Sequence, residues 1–225
     1  MTQRGRPLLI FGTGELAQLA HFFFCHDDRR QVAAFVVDAA YRQAAEFMGL
    51  PLVASEGLET RFPPTDFEMF VAIGYTQLNR VREARCIEAR QRGYTLASYI
   101  SSRASTWPDL KFGDNCLVME GNVIQPFVSL GDGVIMFASS VLSHHVSVGD
   151  YCFIGSEVTL SGGVRVGARS FVGVNATVKD HVEIGADCLI GAGTLILKDA
   201  APGSGYIEAG SADSGIPSRR LRSLL

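Results

Sequence analysis

No stretch of this chain approaches the roughly 20 consecutive apolar residues that a membrane-spanning helix needs. Nor is there a charge excess: 20 Lys and Arg stand against 23 Asp and Glu in 225 residues, a formal net charge of −3. That balance leaves no electrostatic footprint for nucleic acid or an anionic membrane surface. The five cysteines are an odd number, which argues against a disulfide framework in a chain this long. The chain starts Met-Thr-Gln-Arg-Gly-Arg, which is basic, but the apolar run over residues 7–11 is too short for the hydrophobic region of a signal peptide. These absences predict a soluble, cytoplasmic protein with no nucleic-acid partner and no membrane span. With 47% hydrophobic residues the chain can bury a core, and its length suits one or two domains.

What is present divides into two grammars. In residues 1–101, short apolar runs alternate with helix-like segments. Leu8-Leu9-Ile10-Phe11 reads as a buried strand, followed by Gly12-Thr13-Gly14 and a helix over residues 15–25. Val32 to Val37 is a second strand that ends at Asp38, and residues 69–73 are a third. A charged helix over 78–92, closed by Gly93, leads to a last strand over 95–100. The alternation predicts an α/β domain with a small parallel sheet covered by helices.

Residues 102–225 follow another rule. Every sixth residue from Phe112 to Ile196 is apolar, without an insertion; at this composition, chance gives a figure on the order of 10⁻⁵ for a fixed register, so the pattern is a structural repeat. Two residues before each of these, the side chains are mostly small or β-branched, which places both positions on one face of a short strand. The residue after the apolar one runs Gly149, Gly155, Ser161, then Gly167, Gly173, Lys179, then Gly185, Gly191, Leu197. That longer period of 18 makes three hexads one coil of a triangular solenoid, with glycine expected where corners require unusual φ/ψ. Cys116, Cys152 and Cys188 lie 36 residues apart, two coils or about 9.6 Å, which is too far for a disulfide and marks them as core packing. No histidine or cysteine spacing fits a zinc site, so no metal is expected.

The hexads resemble the left-handed parallel β-helix of the hexapeptide-repeat acyltransferases. A small Rossmann-like domain followed by such a prism resembles the bacterial sugar acetyltransferases, including sialic acid O-acetyltransferases and nucleotide-sugar N-acetyltransferases. Gly215-Ile216-Pro217-Ser218-Arg219 is similar to the ending common in that class. The resemblance implies acetyl-CoA as acyl donor, and as acceptor a sugar, foremost the 4-amino group of a nucleotide-linked amino-dideoxy sugar. A sugar O-acetyltransferase is the alternative within the family. A non-catalytic nucleotide-binding trimeric module is the alternative outside it.

Ser143-His144-His145 contains the only histidine pair. One coil later His144 is matched by Gly162 and His145 by Gly163. Glycines beneath a histidine leave an open floor with an accessible N–H, and a base beside such a donor suits transfer from a thioester. The bland alternative is a pair of solvated corner histidines. The resemblance implies that His144 is the catalytic base, that the Gly162 N–H steadies the oxyanion, and that His145 stands where some relatives have an acidic residue. It further puts Phe153 where some relatives carry a coenzyme-contacting histidine, and maps coenzyme contacts onto Val174 and Ala192. His181, on the same corner line as His145, reads as a surface residue or a second base, and His21 and His26 as structural.

Gly12-Thr13-Gly14-Glu15-Leu16-Ala17 fits the glycine-loop pattern G-x-G-x-x-G/A between a strand and a helix. Such a loop either closes the βα unit or holds an anionic group at the helix N-terminus. The domain is too small to supply the second half of a nicotinamide site. The resemblance assigns Gly12, Thr13, Gly14, Asp38, Gly74 and Tyr75 to the nucleotide-sugar. A single prism exposes flat apolar and glycine-rich faces and gives no second wall for a coenzyme, which predicts a homotrimer.

Overall fold

The computed structural model describes residues 5–208 and 210; the segment from Gly215 to Arg219 lies outside the described residues. The N-terminal part runs β1 (Leu8–Phe11), α1 (Glu15–His26), β2 (Val32–Val37), β3 (Glu46–Phe47), β4 (Leu50–Ala54), α2 (Leu58–Arg61), β5 (Glu68–Val71), α3 (Arg80–Gln91) and β6 (Thr95–Leu96). Its sheet has the order β3-β4-β2-β1-β5-β6 and is parallel except for the β3–β4 hairpin. All four residues of β1 are buried, as a parallel strand covered on both faces requires. The hairpin turns through Met48 and Gly49, both at positive φ (51° and 74°), the conformation that two-residue hairpins favour.

The second part is a left-handed parallel β-helix of two-residue strands. Its pairings are parallel and step by 18 residues, as in Val123↔Val141↔Thr159↔Thr177↔Leu195. Three faces result. The first contains Leu117–Val118, Phe153–Ile154 and Phe171–Val172, the second Val141–Leu142 and Thr159–Leu160, and the third Ser147–Val148 and Arg165–Val166. Every sixth apolar residue from Val118 to Ile196 is buried in one core. Phe112, which begins the series, is 48% exposed, because its strand is the end of its face.

The glycines of the 18-residue pattern have a different cause from the one expected. None of Gly149, Gly155, Gly167, Gly173, Gly185 and Gly191 is among the positive-φ residues. They are there for lack of room: a Cβ at Gly149 would lie 2.8 Å from the backbone N of Ala168 one coil on, and at Gly173 2.6 Å from that of Ala192. The left-handed residue of each corner sits three positions after the apolar one, through Asn115, Gly121, Phe127 and onward to Gly193, and most such positions are not glycine. Each non-glycine there costs roughly 1–2 kcal/mol, which the continuous core offsets.

Two boundaries shift. The strand expected over 95–100 is two: Thr95–Leu96 pairs with β5, whereas Tyr99–Ile100 pairs with Leu117–Val118 and starts the prism. The prism therefore begins inside the expected N-terminal domain. The helix expected from residue 78 starts at Arg80, because Gln77, Leu78 and Asn79 hold φ of 51°, 51° and 67°. The N-terminal domain covers the first prism face, where Leu117, Ile135 and Phe153 share a core with Leu8, Ile10, Phe24 and Phe70.

Candidate active site

Residues 143–146 turn the corner between the second and third faces, which is the edge opposite the face covered by the N-terminal domain. His144 and His145 are exposed there. The His144 ring lies flat against its neighbour one coil on: a Cβ at Gly162 would sit 2.6 Å from its Cε1 and 2.9 Å from its Nε2. The backbone stitches the coils together, with Gly163 N–H donating to the His144 carbonyl at 2.9 Å and His181 N–H to the Gly162 carbonyl at 2.9 Å. The Gly162 N–H has no acceptor among the described residues. The equivalent N–H one coil earlier, that of His144, donates to Gln125 Oε1 at 2.9 Å. A corner N–H at this register thus binds an oxygen presented to it, and the one beside the His144 ring is open. The expected base and oxyanion donor come together.

His145 adopts the left-handed corner conformation (φ 62°). Its ring packs on Phe127, with centroids 4.7 Å apart, and its Nδ1 is 3.2 Å from Nδ1 of His144. His181 folds its ring over Gly163, one coil from His145.

Val174 and Ala192 lie on a different corner, between the first and second faces, and both are exposed. Phe153 does not join them. It is 4% exposed on the first face, its ring against Phe137, Phe171 and Tyr75. Its side chain is packing between prism and N-terminal domain and leaves no surface for a coenzyme, which corrects its expected role.

The glycine loop is built as its sequence requires. Gly12 has φ 118°, and a Cβ on it would meet the Ala72 carbonyl oxygen at 2.9 Å, so only glycine lets β1 and β5 end side by side. Gly14 caps α1 without a side chain, and the N–H groups of residues 13–16 are without acceptors among the described residues. Such a nest suits an anion. Gly74 and Tyr75 follow β5 at the same sheet edge, and Tyr75 is 59% exposed with its ring edge-on to Phe153 and Phe171, 5.0 and 5.1 Å away. Asp38 ends β2 nearby, but its carboxylate is not free: it accepts from Ser55 Oγ at 3.0 Å and pairs with Arg85. Together with Glu56, Glu59, Glu88 and Arg92 they line an open cleft.

Sequence reasoning missed Arg82. It is fully buried and donates to the carbonyls of Gly133 (2.9 Å), Tyr151 (2.8 Å) and Cys152 (3.2 Å) on the prism and of Ile73 (3.2 Å) and Gly74 (2.5 Å) on the loop. Burial pushes its guanidinium down to about 10, so it stays cationic at neutral pH and fixes the Gly74–Tyr75 turn to the prism. In sequence it looks like its helix neighbours Arg80 and Arg85. The buried thiols are inert: burial pushes Cys116 and Cys152 up to about 12. Among the described residues no cluster of His, Cys, Asp or Glu could hold a metal ion, and no helix is long and apolar enough to cross a membrane.

Residues 163–198 match the bacterial transferase hexapeptide (six repeats) family, and residues 145–170 match the hexapeptide repeat of succinyl-transferase. No curated protein sequence matches the chain. Among solved structures, the chain is similar to perosamine N-acetyltransferase from Caulobacter crescentus, as a histidine-to-asparagine variant in complex with CoA and GDP-perosamine: 30% identity over 92% of this chain and 96% of that one, TM-score 0.81. It is also similar to the acetyltransferase domain of PglB from Neisseria gonorrhoeae in complex with acetyl coenzyme A, with 25% identity over 91% of this chain and 97% of that one, TM-score 0.78. WeeI from Acinetobacter baumannii shares the fold at 17% identity, covering 90% of this chain and 96% of that one, TM-score 0.74.

Proposed function

The chain belongs to the hexapeptide-repeat sugar acetyltransferases, and on that premise we propose that it transfers the acetyl group of acetyl-CoA to the 4-amino group of a nucleotide-linked amino-dideoxy sugar. The observation that carries this reading is the His144 imidazole lying on Gly162 beside an unused backbone N–H. The nature of both substrates is supported by the ligands of the two similar enzymes, GDP-perosamine with CoA in one and acetyl coenzyme A in the other.

A sugar amine is mostly protonated at neutral pH and attacks a thioester only when neutral. His144 Nε2 takes the proton that the amine gives up on attacking the acetyl carbonyl. The Gly162 N–H faces the carbonyl oxygen as it gains negative charge. The same imidazole then returns its proton to the departing thiolate. The nest at residues 13–16 holds the pyrophosphate, Tyr75 flanks the sugar side, and Val174 and Ala192 offer their corner backbone to the pantetheine arm.

These parts do not meet within one chain, since His144 is on the edge opposite the N-terminal domain. We infer a homotrimer in which the His144 corner of one copy faces the loop of a neighbour, with three equivalent sites. The test of function is a free-thiol release assay with acetyl-CoA against UDP-, GDP- and dTDP-linked 4-amino sugars, with mass analysis of the product. An N-acetylated nucleotide sugar is the expected result. Turnover only with hydroxyl acceptors would reassign the chain to O-acetylation, and none with any sugar would overturn the reading.

A further inference from the structure

We propose that His145 is a positioning residue that sets the tautomer of His144 by accepting its Nδ1–H as a neutral imidazole. This rests on the reading of His144 as the base. The two Nδ1 atoms are 3.2 Å apart, and a bond between them contains one hydrogen, donated by one ring to the other. For Nε2 of His144 to be free to take a proton, its Nδ1 must carry that hydrogen. His145 then accepts at Nδ1 and keeps its own proton on Nε2.

The corner holds His145 in this role. Its backbone is fixed at φ 62°, its N–H donates to the Pro126 carbonyl at 3.2 Å, and its ring packs on Phe127. The charged and titratable groups on the neighbouring coils are Asp109, which accepts the Phe127 N–H, Lys111 beside Phe127, and Lys179, Asp180 and His181 further along the prism. Among the described residues none of these is bonded to either ring, so the partner of His144 is an imidazole and nothing else. When Nε2 takes the acceptor's proton, the cation on His144 is stabilised through Nδ1–H···Nδ1. A second proton on the pair would set two N–H groups against each other. A neutral acceptor therefore orients the base without adding the charge that a carboxylate would bring.

Three variants test this. His145→Phe keeps a ring against Phe127 but has no acceptor, and kcat should fall at least about 10-fold with KM for both substrates unchanged. His145→Asn and His145→Asp place Oδ1 where Nδ1 was and tolerate the left-handed backbone, so both should recover most of the turnover. The acid limb of the pH–rate profile should lie at higher pH in His145→Asp than in His145→Asn, because only the carboxylate stabilises the imidazolium by charge. Full turnover in His145→Phe, or identical acid limbs in the Asn and Asp variants, overturns the proposal. Imidazole ¹⁵N spectra of the resting wild-type protein at alkaline pH give a readout independent of substrate: His144 should be protonated at Nδ1, and protonation at Nε2 overturns the pairing. If the wild-type protein gives the expected ¹⁵N pattern while His144→Ala stays active, the catalytic assignment fails and the pairing stands.

Discussion

Gly162 contributes by having no side chain, and that makes it as sensitive a position as His144. A methyl group there would be 2.6 Å from Cε1 of the histidine ring, so the imidazole must swing away from the open N–H. Gly162→Ala should fold normally, since its φ is not among the positive ones, yet lose about 10²-fold in kcat. His144→Ala should lose at least about 10²-fold, the low end of what a positioned base supplies, with acetyl-CoA affinity nearly unchanged because the base acts in the transition state. Stopped-assay kinetics together with calorimetry of acetyl-CoA binding check both. A His144→Ala enzyme with most of its turnover would point to another base, and His181, two coils from His145, is the next imidazole on that corner.

At the level of elements, the prism is held by close stacking of coils and by a few anchors from the N-terminal domain. Gly149→Ala places a Cβ 2.8 Å from the Ala168 nitrogen and should destabilise by about 1–3 kcal/mol, the usual range for overpacking, as read from urea unfolding. A second anchor is Asp27 at the end of α1. It accepts from the Tyr99 hydroxyl at 2.6 Å and from the Ser102 N–H at 2.8 Å. Burial works to raise its carboxyl, but the bonds from Ser102 and Tyr99 outweigh that and hold it below the usual carboxylate range. With the folded value depressed, the stabilisation is present above the unfolded value of about 3.9 and is lost as pH falls through the folded one. Thermal melts should show that loss below about pH 4 in the wild type, and Asp27→Asn should flatten it.

The element scale also shows what could be read from residues alone. The hexad register was legible because a two-residue strand repeated every six residues exposes its inward position to one test, apolar or not, and every coil passes it. The β1–loop–α1 unit was legible because the close approach of β5 demands Gly12 and a glycine pair between an apolar strand and a helix marks such a loop. The reason for the corner glycines was not, since crowding between coils 18 residues apart and positive φ both select glycine and only coordinates separate them. Arg82 was hidden because five carbonyl acceptors from two domains converge on it, and nothing local marks that. Phe153 misled because only the resemblance placed it at the coenzyme, whereas here the N-terminal domain covers its outward-facing position.

Over the whole molecule the two halves of the site point in opposite directions, so the account stands or falls on assembly between copies. Gly14 offers the matching variant to His144. Its backbone is extended (φ −77°, ψ −176°) and nothing lies within 4 Å of a Cβ there. Gly14→Asp thus adds a favourable helix cap while placing a negative charge where the proposed function seats the pyrophosphate. The most direct measurement is acetyl transfer by trimers co-expressed from His144→Ala and Gly14→Asp chains, with each variant alone as control. Both controls should be nearly inactive. Random mixing should pair an intact His144 with an intact neighbouring loop in about a quarter of the sites, and activity should return to about that fraction of the wild type. Mixed trimers no more active than the two controls would contradict a site shared between copies.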